Sequence, residues 1–267
     1  MAEDVTKKAL RFGDQIDLND MKSLEAWLNN WPREFAVVLA ARAALRVPPL
    51  DIAVPETAEG ARKIRELISS LFRSSALARV VAKYPIRAQE LAAAALNAAK
   101  ASSEAADYAV ETQLSANRAV ANAAHALAYA AAYDPAANAA AATAFFVNIA
   151  AAAISSETVA AARIALSNDT RFLSDGGATG ELADSPLWSG RTPPAVAELW
   201  TTLKAALPPG EDWEVWTRWY DERLAGAPSR GEAYELVFAK VPVEVWDKGP
   251  LRPIAGSRSI YRRLRQR

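Results

Sequence analysis

The sequence predicts an all-α protein: a multi-helix bundle whose Ala-rich core helices pack closely, followed by a Trp-rich C-terminal helical part. Three observations predict it. About 60 residues are alanine, concentrated between Leu91 and Ala165, and alanine is the best helix former because it loses no side-chain entropy on entering a helix. Period-two runs of β-branched and aromatic residues, the mark of strands, are nearly absent. Proline and glycine fall where helices would begin and end.

"NDMKSLEAWLNN" reads as a short first helix. Pro32 sits at the start of the second, "WPREFAVVLAARAALRV", where its missing N–H is not needed, and Pro48 with Pro49 stops it. After the loop "PPLDIAVP", the next segment places Ile64, Leu67, Ile68 and Leu71 at helical spacing, with Gly60 weakening its start rather than cradling a phosphate. Pro85 opens a nearly continuous helical pattern to about Ser167, with breaks expected at Ser102–Ser103, Asp134–Pro135 and Ser155–Glu157. Ser155 or Ser156 is the natural N-cap for "TVAAARIAL". "SDGGATGELADSPLWSG" reads as a flexible connector, so the expected organisation is a bundle over 1–175, a linker over 176–192 and a Trp-rich segment over 193–267, able to pack as one domain. Thr192 and Pro193 restart helix in "TPPAVAELWTTLKAAL". Pro208 to Gly210 end it, and Gly226 ends "EDWEVWTRWYDERLAG".

One stretch asks for a decision. From Pro135 to Ser156 there are 22 uncharged residues, formally enough to span a bilayer. Alanine gains little from transfer to hydrocarbon, Asn138 and Asn148 interrupt the run, and no Lys/Arg asymmetry or two-sided aromatic belt flanks it. The reading is a helix apolar all round, held inside a bundle where small side chains let backbones approach, and pairing with "LSANRAVANAAHALAYAAAY" as an antiparallel hairpin.

Composition excludes several chemistries. There is no cysteine, hence no disulfide, thiolate metal site or cysteine nucleophile. Lys plus Arg and Asp plus Glu number 31 each, so no overall field favours nucleic acid or an anionic surface. The first residues mix both charge signs without an apolar run, so the expectation is a cytoplasmic protein.

Candidate sites are few. His125 is the single histidine and lies among alanines, so a helix-packing role outweighs catalysis, and a three-histidine zinc site is excluded. Glu104, Asp107 and Glu111 share one helical face, a solvated stripe or a weak cation site, with no Glu-x-x-His partner. "GGATGE", Gly176 to Glu181, matches no phosphate loop. The aromatic stripe is the most specific feature. Trp213, Trp216 and Tyr220 lie on one helical face with Trp219 beside them, and the first reading is a core seam. The functional reading makes Trp213, Trp216, Trp219 and Tyr220, with Arg218 and Arg223, an anchor for a partner. The end of the chain, "LRPIAGSRSIYRRLRQR", holds six arginines after Leu251 and no acid. Arg258, Arg262, Arg263 and Arg265 form a candidate anion-binding tail, against the simpler reading of a solvated terminus.

"WPREFAVVLAARAALRVPPL", "GEDWEVWTRWYDERLAG" and "VEVWDKGP" together resemble a group of uncharacterised bacterial proteins built to this plan. The resemblance implies an all-helical fold with an Ala-rich middle and transfers no site residue. In that group the segment after "WDxGP" continues into another helix, whereas here it turns Arg-rich.

The expectation is a non-enzymatic helical scaffold or protein-interaction module without a cofactor or metal, associating with itself or with another protein. The rival from another class is an enzyme or small-ligand sensor with a pocket between the Ala-rich bundle and the Trp helix, lined by Glu214, Arg218, Asp221 and Arg223. Weak nucleic-acid binding through the tail is a third reading. A membrane role is disfavoured.

Overall fold

The computed structural model describes residues 17–18, 20–46, 58–111, five positions between 122 and 130, 136–152, 154–207 and 213–241. Among them are ten α-helices and no strand. The helices are α1 (Met21–Leu28), α2 (Arg33–Leu45), α3 (Ala58–Lys83), α4 (Ala88–Glu111), α5 (Ala136–Ala152), α6 (Ser156–Ser174), α7 (Thr179–Asp184), α8 (Pro194–Ala206), α9 (Trp213–Leu224) and α10 (Glu232–Ala239). A short 3-10 turn, Pro85–Arg87, joins α3 to α4.

Local chemistry sets many of the boundaries. Asp20 caps α1 by accepting from the Lys22 amide at 3.1 Å, and Ser155 caps α6 by accepting from the Thr158 amide at 3.1 Å, each satisfying a donor the first turn leaves unpaired. Helix α8 starts one residue later than Thr192–Pro193 predicts: Pro193 is the N-cap, with no side-chain capping bond. The expected break at Ser102–Ser103 does not occur. The Ser102 hydroxyl donates back to the Ala98 carbonyl at 2.8 Å and meets Ser70 Oγ at 2.6 Å, so the serine is satisfied inside a continuous α4. The break expected at Asp134–Pro135 lies outside the described residues, and of the hairpin partner before it only five positions, all helical, are described.

Helices α2 and α3 form the centre. Ala36 through Arg46 are buried without a gap, as are Ile68 through Ala82. Helical spacing in α3 predicts one apolar face, but the neighbours leave no exposed one over that span. Helix α2 packs on α3 and α5, with α1, α6 and α7 around it, while α3 also meets α4, α7 and α10. Alanine makes this possible: Ala40, Ala44, Ala78, Ala82, Ala95 and Ala98 are fully buried, and their short side chains bring neighbouring backbones close.

The aromatic stripe of α9 is a core seam. Phe72 of α3 stacks on Trp216 with ring centroids 5.7 Å apart and meets Trp219 edge-on at 6.3 Å. Trp200 of α8 closes on Tyr220 at 4.6 Å, and Phe238 of α10 closes on Trp216 at 5.1 Å. These offset and edge contacts add about 0.5–1.5 kcal/mol per pair beyond burial. The Tyr220 hydroxyl donates to the Leu45 carbonyl at 2.7 Å, satisfying a group at the C-terminus of α2. One apolar cluster thus runs from Leu24 to Ala239.

The stretch expected to be a flexible connector is ordered. At the end of α6, Gly176 takes a positive φ, its amide donates to Leu173 O at 3.1 Å, and the Gly177 amide donates to Phe172 O at 2.9 Å, which together make a Schellman cap. Helix α7 follows at once, and Leu182, Ala183, Leu187 and Trp188 are buried. Glycine content suggests freedom here, but the side chains that fix the segment come from helices more than 100 residues away.

Candidate functional site

Burial of charge is the first feature that sequence reasoning did not reveal. Arg42, Arg46, Arg73, Arg79 and Arg223 are all buried. Arg42 on α2 and Arg46, the C-cap of that helix one turn on, both donate to Oδ2 of Asp169 on α6, at 2.9 Å and 2.6 Å. Arg42 also donates to the carbonyls of Leu182, Ser185 and Pro186, and Arg46 donates to that of Leu187 at 2.8 Å. Two guanidinium forks from α2 therefore hold the 182–187 strap from within. Burial lowers the pKa of Arg42; the Asp169 carboxylate opposes that shift and Arg46 adds to it.

A second set lies between α3, α9 and α10. Arg79 donates to both oxygens of Glu235, Arg223 donates to Glu235 Oε1 at 3.2 Å and Ser229 does so at 3.0 Å. Arg79 and Lys83 both pair with Asp184, the last residue of α7. Burial pushes the Asp184 carboxyl up, yet the Lys83 hydrogen bond and the Arg79 and Lys83 charges outweigh it and hold it below its ordinary value. The one signal available in sequence was the placement of Arg42, Arg46 and Arg79 inside otherwise uncharged runs, where a helix buried all round must bury its charge too. These pairs bind elements together. The carboxylates of Asp169, Asp184 and Glu235 are each paired with guanidinium groups, while Arg46 Nη1 and Arg223 Nε make no hydrogen bond.

The candidate residues divide accordingly. Trp213, Trp216, Trp219, Tyr220 and Arg223 are buried, Trp219 and Tyr220 completely. Arg218 is exposed. The four residues of the pocket reading do not converge: Glu214 and Arg218 face solvent, Asp221 accepts from Trp200 Nε1 at 2.6 Å and pairs with Lys204, and Arg223 turns inward to Glu235. His125 is half-buried, with Nδ1 2.9 Å from the Ala99 carbonyl. Glu104, Asp107 and Glu111 lie in α4, and their side chains fall outside the described residues, as do Arg258, Arg262, Arg263 and Arg265. Among the described residues no group of three His, Cys, Asp or Glu side chains could hold a metal ion, and no helix is long and apolar enough to cross a membrane.

The feature that points outward is α5. The sequence reading places this helix wholly in a core, and its inner face, Ala136, Ala137, Ala140, Ala141, Ala144, Val147 and Ala151, is indeed buried. Its outer face is not. Asn138, Phe145, Ile149 and Ala152 are exposed, Ala142 and Phe146 half-buried, and Phe145 and Ile149 keep 43% and 42% of their surface in solvent. Mostly small side chains line the core side, Phe146 packs against the core, and Phe145 and Ile149 are the large apolar side chains left partly in water. Close packing explains the inner half, since α2 and α1 lie against α5 and a bulky residue would force them apart. Phe145 lies edge-on to Phe146 with ring centroids 5.7 Å apart, so part of its surface is covered within the helix itself. The other exposed large apolar residues among those described are Met21, Ile86, Ile164 and Phe172, and the Phe172 ring covers Gly177, where a Cβ would lie 2.2 Å from it.

No protein-family model, curated protein or solved structure matches this chain.

Proposed function

We propose that this chain is a non-enzymatic helical interaction module of the cytoplasm that self-associates through the outer face of α5. The observation that carries the reading is the apolar outer face of α5: Phe145 and Ile149 stand partly exposed on a 17-residue helix without a charged side chain. Exposed apolar side chains at helical spacing on an uncharged surface stabilise contact with a similar surface by removing area from water. Equal numbers of positive and negative residues, 31 each, weaken repulsion between copies. The pairing of the buried carboxylates with guanidinium groups supports a structural rather than a chemical role for them.

Light scattering on size-separated protein without detergent tests this. The expected result is a defined oligomer that persists at high salt, since an apolar contact is not screened. Phe145→Glu combined with Ile149→Glu should weaken it at least about tenfold, because burying each side chain contributes roughly 1.5–3 kcal/mol when complete. A monomer at high concentration would sink the proposal.

A further inference from the structure

The buried charges do not balance. Where α2 ends against α6, Arg42 and Arg46 share one carboxylate, Asp169, and all three are buried. The carbonyls of Leu182, Ser185, Pro186 and Leu187 solvate the two guanidiniums, but a carbonyl dipole does not cancel a full charge. Burial lowers the pKa of Arg42; Asp169 opposes this, and the Arg46 and Arg79 charges add to it. The neighbouring network brings no compensation, because it sets Arg79, Lys83, Arg223 and Arg230 against Asp184, Glu222 and Glu235. The surplus has a location. Arg46 donates through Nε to Leu187 O at 2.8 Å and through Nη2 to Asp169 at 2.6 Å, while Nη1 makes no hydrogen bond. Its guanidinium lies over the Trp188 ring, 5.9 Å from the centroid, and the buried Trp188 Nε1 makes no hydrogen bond either.

We infer that Arg46 Nη1 binds a small monovalent anion of the halide class, between the end of α2 and the 182–187 strap, with the Trp188 indole N–H as a further donor. Two buried donors on neighbouring side chains lack acceptors, and a buried N–H left without one is costly, most of all on a charged group. A water molecule would satisfy the donors and leave the charge, whereas an anion answers both. Charge sets the class: two cations on one carboxylate call for a single negative charge. Burial sets the size. Arg46 and Trp188 are 1% and 3% exposed, which leaves no approach for a phosphoester or a partner's carboxylate. An ion entering such a site gives up most of its hydration, and that costs a monovalent halide less than a divalent oxyanion.

The site is separate from the α5 surface and stands or falls without it. Thermal melts of the full chain test it, with chloride replacing gluconate at fixed ionic strength and protein concentration. The melting temperature should rise by about 2–4 °C and level off once chloride exceeds its dissociation constant about tenfold. Arg46→Gln leaves Arg42 and Asp169 as a balanced pair, so it should abolish the rise and leave only any general salt effect. Trp188→Phe keeps an aromatic ring without the N–H and should move the chloride midpoint several-fold higher. Crystals soaked in bromide should show an anomalous peak within hydrogen-bond distance of Arg46 Nη1. Equal melting temperatures in chloride and gluconate, or the same rise in Arg46→Gln, would overturn the inference. If Arg46→Gln does not fold, the soak decides: bromide only on the surface would show an adventitious ion only. A peak at Arg46 without any rise in the melts would mean binding at crystal concentration only, and it overturns the inference too.

Discussion

Asp169 accepts two guanidinium groups on one buried oxygen, so its carboxylate is what allows Arg42 and Arg46 to share a helix face in the core. Asp169→Asn should destabilise the protein by about 3–5 kcal/mol in urea titration, since it leaves buried cations uncompensated. Arg218→Ala, on the exposed side of α9, should stay within about 0.5 kcal/mol. The tyrosines give a pH signature. Burial, with the Glu222 charge adding to it, pushes Tyr234 up to about 12, and burial raises Tyr220 well above its ordinary value. An acid whose folded pKa is raised stabilises the fold fully below its unfolded pKa, about 10. That stability is lost as the unfolded chain ionises, so the melting temperature should fall steadily between pH 10 and about 12. Tyr220→Phe should flatten part of that fall; an unchanged slope would contradict the assignment. The depressed Asp184 carboxyl works in the opposite direction: its contribution is present above about pH 4 and disappears as pH falls through the folded value.

Helix ends were the most legible elements. Gly226 ends α9 as expected, with φ +67° and its amide donating to Arg223 O at 3.2 Å. What the sequence did not reveal is why the site is so constrained: a Cβ there would lie 2.3 Å from the Pro186 backbone nitrogen. Gly226→Ala should therefore cost more than the ~1 kcal/mol of a left-handed alanine, and more than Gly190→Ala, where φ is +93° but no atom lies within 4 Å. Paired thermal melts would check this, and equal losses would show that φ alone matters. Interior faces were harder to read. Periodicity identifies α3 as a helix but cannot say that neighbours cover it on all sides, and it places α5 in a core without distinguishing its two faces. An all-apolar helix carries no polar residue to mark the side that faces water.

Across the whole molecule, the apolar cluster joins the N-terminal helices to the Trp-rich part through Phe72, and the two ion networks join both to the 182–187 strap. Unfolding should therefore be a single transition, with tryptophan fluorescence and far-UV circular dichroism giving coincident curves in guanidinium chloride. A separate early fluorescence transition would mean that the aromatic part unfolds independently of α2 and α3. The sequence suggested a boundary at 176–192 because glycine and serine are dense there. The structure shows caps, a helix and four buried apolar side chains instead, since turn residues mark a change of direction and carry no information about what the turn packs against.

The sequence by itself determined the all-helical class, the start and end of most helices and the core role of the α9 aromatics, because propensity, capping and periodicity act over a few residues. Only the tertiary structure decided which helices are central, where the arginines find their carboxylates and which face of α5 meets water. Those outcomes depend on side chains brought together from 12 to more than 150 positions apart, such as Arg223 with Glu235 and Arg79 with Glu235, and no local pattern encodes such pairings.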